Sequence, residues 1–456
     1  MTTYSRAGIF NYKSNSFVWG FGGTYDTATT LNFLGSMTID APAALAVAAV
    51  SLDSATVTVT GTISSTARSG AIVTLPVPVP PGEPQPAGPV DELIAAGAIL
   101  GDARVTFAGS VRSQIEGGGT IGAFSALADA YVTATGVMIS ERGFALRTQA
   151  AAGDAHSVTG GVIEARAGEC AIMVEGRENS FVTNRAAVLT GGDHVDGILA
   201  TARVDLTFSG DRVAALANSN VTVTNSGALC TTGDGIRAEA QGSIEIRNTG
   251  RIDADGIGIH VRDIDGTDGT GRANVHQTGV LEGGAGGIVV SGDFATSVIQ
   301  VAGILKGGSG AAILTGASAD TILIGAGARV QGDILTGAGN DEIRLDRSAR
   351  VSGLVDAGSG NDSVVLGNAG YVVDGGAGND LFQAGSGRDV FLYAAGDAGN
   401  DQLAGFDLRR DKLAFDVGPL DVRVVGRDTL ITWSEGSLRL VGVASPDLDL
   451  SANWIA

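Results

Sequence analysis

Glycine and aspartate recur in a fixed pattern near the carboxyl end of this 456-residue chain. The sequence Gly-x-Gly-Asn-Asp ends at Asp341, Asp362 and Asp380, and related segments end at Asp389 and Asp401. The residue two positions after each of the first four is apolar. Glycines allow a tight turn that exposes backbone carbonyls, and Asp adds a hard anionic oxygen. This chemistry favours Ca²⁺, and the repeat matches the signature of a calcium-binding parallel β-roll.

The spacing of these Asp residues indicates a coiled chain. Five of them fall at intervals of 21, 21, 18 and 21 residues, namely Asp320, Asp341, Asp362, Asp380 and Asp401. One coil therefore separates each from the next, so the turns stack about 4.8 Å apart and a cation can lie between carboxylates of successive coils. Asp389 is expected to lie alone on the opposite edge. A flexible linker would not keep an apolar residue at a fixed distance from each Asp.

The predicted calcium-binding residues come from these turns. They are Gly337, Gly339, Asn340, Asp341, Gly358, Gly360, Asn361, Asp362, Gly376, Gly378, Asn379, Asp380, Gly385, Gly387, Asp389, Gly399 and Asp401. The turn that ends at Asp320 lacks the second glycine, and the turn that ends at Asp401 has Asp397 where a glycine is expected.

These motifs resemble those of the RTX proteins, a calcium-binding family that is exported by type I secretion. The segment with Phe406, Asp407, Asp411 and Leu413 is similar to the segment that closes the roll in serralysin-type proteases. The apolar terminus Trp454-Ile-Ala456 resembles the uncleaved export signal of that family. The resemblance implies a secreted protein, extracellular or at the cell surface, with the type I secretion machinery as a partner.

Composition excludes some other classes. The net charge is -20, so a phosphate backbone would be repelled and nucleic acid is not an expected partner. A hydrophobic fraction of 44% is enough for a continuous core. Residues 1–15 show no signal-peptide pattern, and the longest apolar run, Ala41 to Val50, is too short to span a bilayer.

A longer period precedes the calcium motif. Gly-Ile steps at Gly235, Gly258 and Gly287 recur between short β-branched alternations such as Val221-Thr-Val-Thr224. A period of about 20 to 30 residues with short strands is typical of a solenoid. We therefore expect an all-β fold, a right-handed parallel β-helix solenoid that continues into an RTX β-roll with caps at both ends.

Four regions are predicted: an aromatic-rich N-terminal cap at 1–40, the β-helix at 41–315, the RTX β-roll at 316–405, and a C-terminal cap with the export signal at 406–456. The aromatic cap has an alternative, a docking surface for another copy or a glycan. A proline-rich loop at 76–89 is expected to leave the helix, and a short helical turn is expected after it, near Val90 to Gly97.

The sequence offers weak evidence for an active site. The catalytic motifs of alginate epimerases, zinc proteases and lipases are absent. The cluster Asp193-His194-Val195-Asp196 could hold a general acid or base, but a solvated turn is the favoured interpretation. His260 and His276 are expected to be exposed on strands. We expect a structural or adhesin-like protein, and a polysaccharide lyase or epimerase is the alternative.

Two further features remain open on sequence alone. Cys170 and Cys230 are expected to be buried free thiols, although a disulfide is the alternative. The acidic segment Asp263 to Gly269 resembles the start of an EF-hand loop but lacks the final Glu, which favours a polar turn. Extracellular polysaccharide and self-assembly are the partners considered besides calcium.

Overall fold

The computed structural model describes residues 2–13, 18–25, 27–41, 44–68, 71–74, 87–90, 93–116, 119–202, 207–208, 211–212, 219–264, 271–418 and 420–445. Within these ranges every regular element is a β-strand. The chain forms two compact units, an N-terminal unit at Met1–Gly256 and a C-terminal unit at Ile257–Ala456. In each unit the strands of successive coils stack in parallel, which confirms the prediction of an all-β parallel solenoid.

The N-terminal unit contains two parallel sheets and two short antiparallel strand pairs. Its first sheet contains Thr2–Lys13, Thr29–Asp40, Ala55–Ser65, Ala103–Ser113, Ala130–Ser140, Ala155–Ala165, Asn179–Asn184, Ala187–Thr190, Asn220–Asn225, Ala228–Thr231, Ile244–Asn248 and Arg251–Ala254. Its second sheet contains Val18–Tyr25, Ala44–Ser51, Ile94–Ala98, Gly119–Ser125, Phe144–Ala150, Cys170–Gly176, Asp196–Ala202 and Ile236–Ala240. The antiparallel pairs are Ala71–Thr74 with Ala87–Val90 and Thr207–Phe208 with Asp211–Arg212.

The C-terminal unit is built in the same way, with shorter strands. Its first sheet contains Arg272–Gln277, Val280–Gly283, Thr296–Val301, Ile304–Lys306, Thr321–Ile324, Arg329–Gln331, Glu342–Leu345, Arg350–Val351, Ser363–Val365, Leu381–Gln383, Gly399–Ala404, Asp421–Val425, Asp428–Thr432 and Gly436–Val441. Its second sheet contains Ile257–Asp263, Gly286–Ser291, Ile313–Leu314, Ile334–Leu335, Leu354–Asp356, Val372–Asp374, Val390–Tyr393 and Lys412–Phe415.

Strict alternation places the apolar side chains inside. In Ala55–Ser65 the residues Ala55, Val57 and Val59 are fully buried, while the threonines between them face outward. Each coil buries its inward face only against its neighbours, because a single strand pair cannot enclose a core. The core is accordingly a column of Val, Ile, Leu and Ala side chains along each unit.

The long strands of the first sheet bend at one stacked glycine per coil. These glycines are Gly8, Gly35, Gly61, Gly109, Gly136 and Gly161, and all have positive φ. A Cβ on Gly161 would lie 2.1 Å from the carbonyl oxygen of Gly136, so neither the conformation nor the space admits a side chain.

Buried asparagines form a ladder two positions before this glycine position in the following coils. Asn184 donates from Nδ2 to Oδ1 of Asn225 at 2.7 Å, and Asn225 donates in the same way to Asn248 at 2.8 Å. All three side chains are fully buried. The ladder satisfies polar groups inside the core, where an unpaired amide would be costly.

Two local predictions need comment. The proline-rich loop is flanked by the antiparallel pair Ala71–Thr74 and Ala87–Val90, and residues 75–86 lie outside the described part of the chain. The predicted helical turn near Val90 to Gly97 is wrong, because Ile94–Ala98 is a buried strand that pairs with Ala44–Ser51. Stacking in register overrides the weak helical preference of this segment.

The aromatic segment near the amino end belongs to the solenoid. Thr2–Lys13 pairs in parallel with Thr29–Asp40, and the rings of Phe10 and Phe33 lie 6.0 Å apart. Tyr4 is 42% exposed, whereas Leu31, its partner in the next coil, is fully buried. Whether this first coil caps the unit or receives a partner stays a prediction.

The glycine corner gives a matched pair of substitutions. Gly161→Ala should destabilise the protein by about 2 kcal/mol or more, because a side chain at positive φ is strained and meets the Gly136 carbonyl. Gly160→Ala should change stability by less than about 1 kcal/mol, because its Cβ would make an ordinary 3.6 Å contact with Thr135. Urea denaturation of the two variants measures the difference. Equal losses of stability would contradict the stacked-glycine account.

Candidate metal centre

Three consecutive turns of the C-terminal unit stack with both motif glycines at positive φ. The φ angles are 88° and 133° at Gly337 and Gly339, 86° and 140° at Gly358 and Gly360, and 76° and 143° at Gly376 and Gly378. A Cβ on Gly358 would lie 1.9 Å from the carbonyl oxygen of Gly337, and a Cβ on Gly376 would lie 1.8 Å from that of Gly358. The turns therefore pack backbone against backbone.

The Asp that ends each turn points into the stack. We call Asp320, Asp341, Asp362, Asp380 and Asp401 the inner aspartate ladder, and none of them is more than 5% exposed. The N–H of Asp341 donates to Oδ1 of Asp362 at 2.7 Å, and the N–H of Asp362 donates to Oδ1 of Asp380 at 2.9 Å. The ladder begins at Ser297, whose N–H donates to Asp320, and ends at Asp401, which accepts from the N–H of Asp380.

The two oxygens of each inner Asp have different roles. Oδ1 of each accepts a backbone N–H of the preceding coil. Oδ2 takes no part in these hydrogen bonds and is the oxygen left to bind a cation.

The second oxygen is buried without a protein donor along most of the ladder. Oδ2 of Asp320, Asp341, Asp362 and Asp380 has no hydrogen-bond partner. Burial, with smaller contributions from neighbouring carboxylates, raises the pKa of Asp341 to about 7 and that of Asp380 to about 8. Burial likewise raises the pKa of Asp362 and of Asp401 to about 6.

These orphaned oxygens fit a hard cation. An ionised carboxylate that is buried without a partner costs several kcal/mol, and a bound cation would offset that cost. In the described ranges no three Asp, Glu, His or Cys side chains converge on one point. Carbonyl oxygens of the glycine turns would therefore complete the coordination of Ca²⁺, which takes about six to eight oxygen ligands.

A second ladder runs along the outside of the same turns. Oδ1 of Asn340 accepts the N–H of Asn361 at 2.7 Å, and the pattern repeats from Asn361 to Asn379 and from Asn379 to Asn400. Ser437 in the closing strand donates to Asn400 at 2.8 Å. The motif asparagines thus lock the turns together from outside and are connected to the C-terminal cap.

The opposite edge differs from the predicted one. Asp389 is not alone there, because its N–H donates to Oδ1 of Asp411 at 3.0 Å. Both oxygens of Asp389 accept backbone N–H groups, from Tyr371 and from Gly385. Burial raises the pKa of Asp389 to about 6, and the charge of Arg410 opposes this shift. Neither oxygen of Asp389 lacks a hydrogen-bond donor, so the geometry gives no support to the prediction that Asp389 binds calcium.

Three further carboxylates lie in these turns, and the sequence analysis did not single them out as ligands. Asp356 and Asp374 pair in register two residues before the first glycine of their turns, and Asp397 occupies a glycine position in the next turn. Burial raises the pKa of Asp374 to about 6, and the charges of Asp397 and Asp356 add to the shift. The 18-residue spacing of Asp356 and Asp374 ahead of their glycines was the available signal for these two.

The segment that contains Phe406, Asp407, Asp411 and Leu413 follows the last glycine turn. Phe406 and Leu413 are buried in the core. Asp407 accepts the N–H of Arg409, and Asp411 accepts the N–H of Asp407. Gly436–Val441 then runs parallel to Gly399–Ala404 and covers its edge. The predicted export signal at Trp454 to Ala456 lies outside the described residues.

The alternative site in the N-terminal unit is a turn followed by a buried ion pair. Asp193 and His194 are exposed, and His194 has a φ of 54°, the one positive φ of a described residue other than glycine. Asp196 is buried and lies 3.3 Å from Nε of Arg237, which also contacts Glu169. Burial raises the pKa of Asp196, and the charge of Arg237 opposes that shift.

Among the described residues, the remaining sequence candidates belong to no cluster of three or more Asp, Glu, His or Cys side chains that could hold a metal ion. Cys170 and Cys230 are both free, but only Cys170 is buried, so the prediction of a buried Cys230 is wrong. Cys230 faces outward in its strand. His260 and His276 are half-buried on strands, and most of the segment Asp263 to Gly269 lies outside the described residues.

Comparison with known proteins adds little to the geometry. No protein-family model and no curated protein sequence matches this chain. Among solved structures, the chain is similar to the extracellular lipase LipA from Serratia marcescens, with a TM-score of 0.24 and 16% sequence identity. That alignment covers 54% of this chain and 41% of the lipase chain. No helix in the described ranges is long and apolar enough to cross a membrane.

The raised pKa values predict how pH affects the cation-free protein. The folded carboxyls bind protons at a pH where unfolded Asp, with a pKa of about 3.9, does not. The stability of the C-terminal unit in chelator should therefore rise as pH falls from about 8 to about 5, by about 3 °C or more in Tm, and level off near pH 4.

Thermal unfolding in chelator at several pH values checks this prediction. Asp380→Asn should show a smaller pH dependence, whereas Asp293→Asn, an exposed control in the same unit, should behave like the wild type. A Tm that falls between pH 8 and pH 6 would contradict the assignment of raised pKa values to the folded ladder.

Proposed function

We propose that this protein is a calcium-binding protein of the extracellular space or cell surface, and that calcium completes the folding of its roll. The observation that carries the proposal is the inner aspartate ladder, in which four buried carboxylate oxygens have no protein donor. The turns around them expose glycine backbone, which suits a calcium shell built from carbonyl and carboxylate oxygens.

The ladder makes each coil depend on the next one along the chain. The N–H of Asp341 needs the carboxylate of Asp362, and the N–H of Asp362 needs that of Asp380. Ionised aspartates in this stack repel one another without a cation, so the metal-free roll is unfavourable at neutral pH. Calcium would neutralise the carboxylates and make binding energy available for folding.

Calcium concentration supplies a reason for the extracellular assignment. Extracellular calcium modules commonly bind at about 10⁻⁴ to 10⁻³ M, far above cytosolic calcium. The acidic turns of the C-terminal unit would therefore stay poorly folded at cytosolic calcium and fold outside the cell. A roll that folds only after export suits the type I machinery.

A structural or adhesive role fits the repetitive surface. Outward side chains of successive coils stand in register, for example Thr106 and Thr133 of neighbouring strands. Such a surface repeats every strand spacing of about 4.8 Å, which suits a polymeric partner such as a polysaccharide or another copy of the chain.

Calcium should change the full-length protein directly. Adding calcium to chelator-treated protein at pH 7.5 should increase β structure and raise Tm, with a midpoint at about 10⁻⁴ to 10⁻³ M. Asp362→Asn should shift the midpoint about tenfold higher or more, because one buried oxygen loses its charge. Circular dichroism measures both effects, and Asp293→Asn is the control.

The proposal fails if the spectrum and Tm are the same in chelator and in several millimolar calcium. A response that survives unchanged in Asp362→Asn would show that calcium binds elsewhere on this acidic chain.

A polysaccharide lyase or epimerase remains the second candidate. The observation in its favour is the positive φ of His194 beside Asp193 and close to the buried Asp196, because backbone strain concentrates at functional sites. The experiment is uronate turnover, followed as double-bond absorbance for a lyase. Turnover by the wild type that is lost in His194→Ala would establish the enzyme.

A further inference from the structure

The turns of the roll differ in how many carboxylates they carry. Those that end at Asp320 and Asp341 have Leu314 and Leu335 in the outward position of the preceding strand. In the next two coils that position holds Asp356 and Asp374, which pair in register. We call Asp356, Asp374 and Asp397 the outer acidic group.

The residue that directly follows this outward position also changes its type at the same point in the chain. Thr315 and Thr336 precede the first two turns, and each donates from Oγ1 to a backbone carbonyl of the next coil at 2.9 Å. Ala357 and Gly375 occupy this position in the following turns. The later turns have lost a hydroxyl donor and gained a carboxylate.

The later turns are also the most negatively charged part of the stack. Burial and the carboxylates of Asp397 and Asp356 act together on Asp374, and the charge of Asp397 also reaches Asp380 and Asp401. The charged side chains that act on Asp374 and Asp401 are all carboxylates. On the opposite edge Arg410 provides a positive charge beside Asp389.

A buried hydroxyl lies among the same carboxylates. Tyr393 is 3% exposed, and its hydroxyl has no hydrogen-bond partner. Four carboxylates act on it electrostatically, those of Asp374, Asp380, Asp397 and Asp401. Oδ2 of Asp380, one of these four carboxylates, also has no hydrogen-bond partner, so two unpaired buried oxygens belong to the group where the negative charge is concentrated.

We propose that the outer acidic group makes the turns at 356–362, 374–380 and 397–401 the tightest binding sites of the roll for a hard divalent cation. The proposal rests on calcium binding by the inner ladder, as proposed above, and adds residues outside the glycine motif. Calcium affinity rises with the number of charged ligands, and each of these three turns carries two carboxylates against one in each of the two turns before them. Asp397 in place of a motif glycine is then part of the site.

Calorimetric titration of the full-length, chelator-treated protein with calcium tests this proposal. Asp374→Asn and Asp356→Asn should each weaken the tightest binding about tenfold, because each removes a charge and leaves the inner ladder intact. Asp293→Asn should titrate like the wild type. Circular dichroism at saturating calcium confirms that each variant folds.

The outcomes separate this proposal from the one on which it rests. If the wild type binds calcium, Asp380→Asn weakens that binding, and both outer variants titrate like the wild type, the outer acidic group has no role. If the wild type binds no calcium, the proposed function itself is wrong. If one of the two outer variants fails to fold in calcium, the other variant decides the test, because a tenfold loss of affinity in either one is the predicted result.

Discussion

Buried aspartates constrain the C-terminal unit more than any other feature. Each inner carboxylate satisfies a backbone N–H of the preceding coil with one oxygen, while four of the five keep the other oxygen buried without a donor. The first interaction links the coils, and the second opposes folding while the carboxylate is ionised. The same side chain thus carries a stabilising hydrogen bond and a destabilising unpaired charge. A bound cation would offset the charge and leave the hydrogen bond in place.

Close backbone packing makes this arrangement possible. The turns approach one another so closely that a side chain at Gly358 or Gly376 would overlap a carbonyl of the preceding coil. The same principle forms the corner of the N-terminal unit, where Gly161 stacks on Gly136 and a ladder of buried asparagines follows two positions before the glycine position. In both units a repeated small or polar residue fixes the bend, and alternating apolar residues fill the interior.

Spacing and alternation in the sequence were enough to predict the parallel solenoid and its stacked turns. They could not predict which way the Asp side chains point, because that depends on two positive φ angles and on the neighbouring coil. Asp411 was missed as the partner of Asp389 since it lies outside the glycine motif. Cys230 was predicted to be buried, but its side chain is exposed on the outer face of its strand. The strand at Ile94–Ala98 is set by pairing across coils, which local preference cannot reveal.

Hydrogen exchange of the full-length protein in chelator and in calcium tests the central claim most directly. The account predicts that amides in peptides covering residues 337–401 exchange rapidly in chelator at pH 7.5 and become protected in calcium. Peptides from the strands at Ala130–Ser140 and Ala155–Ala165 should be protected in both conditions. Equal protection of residues 337–401 with and without calcium would contradict the claim that a cation completes this stack.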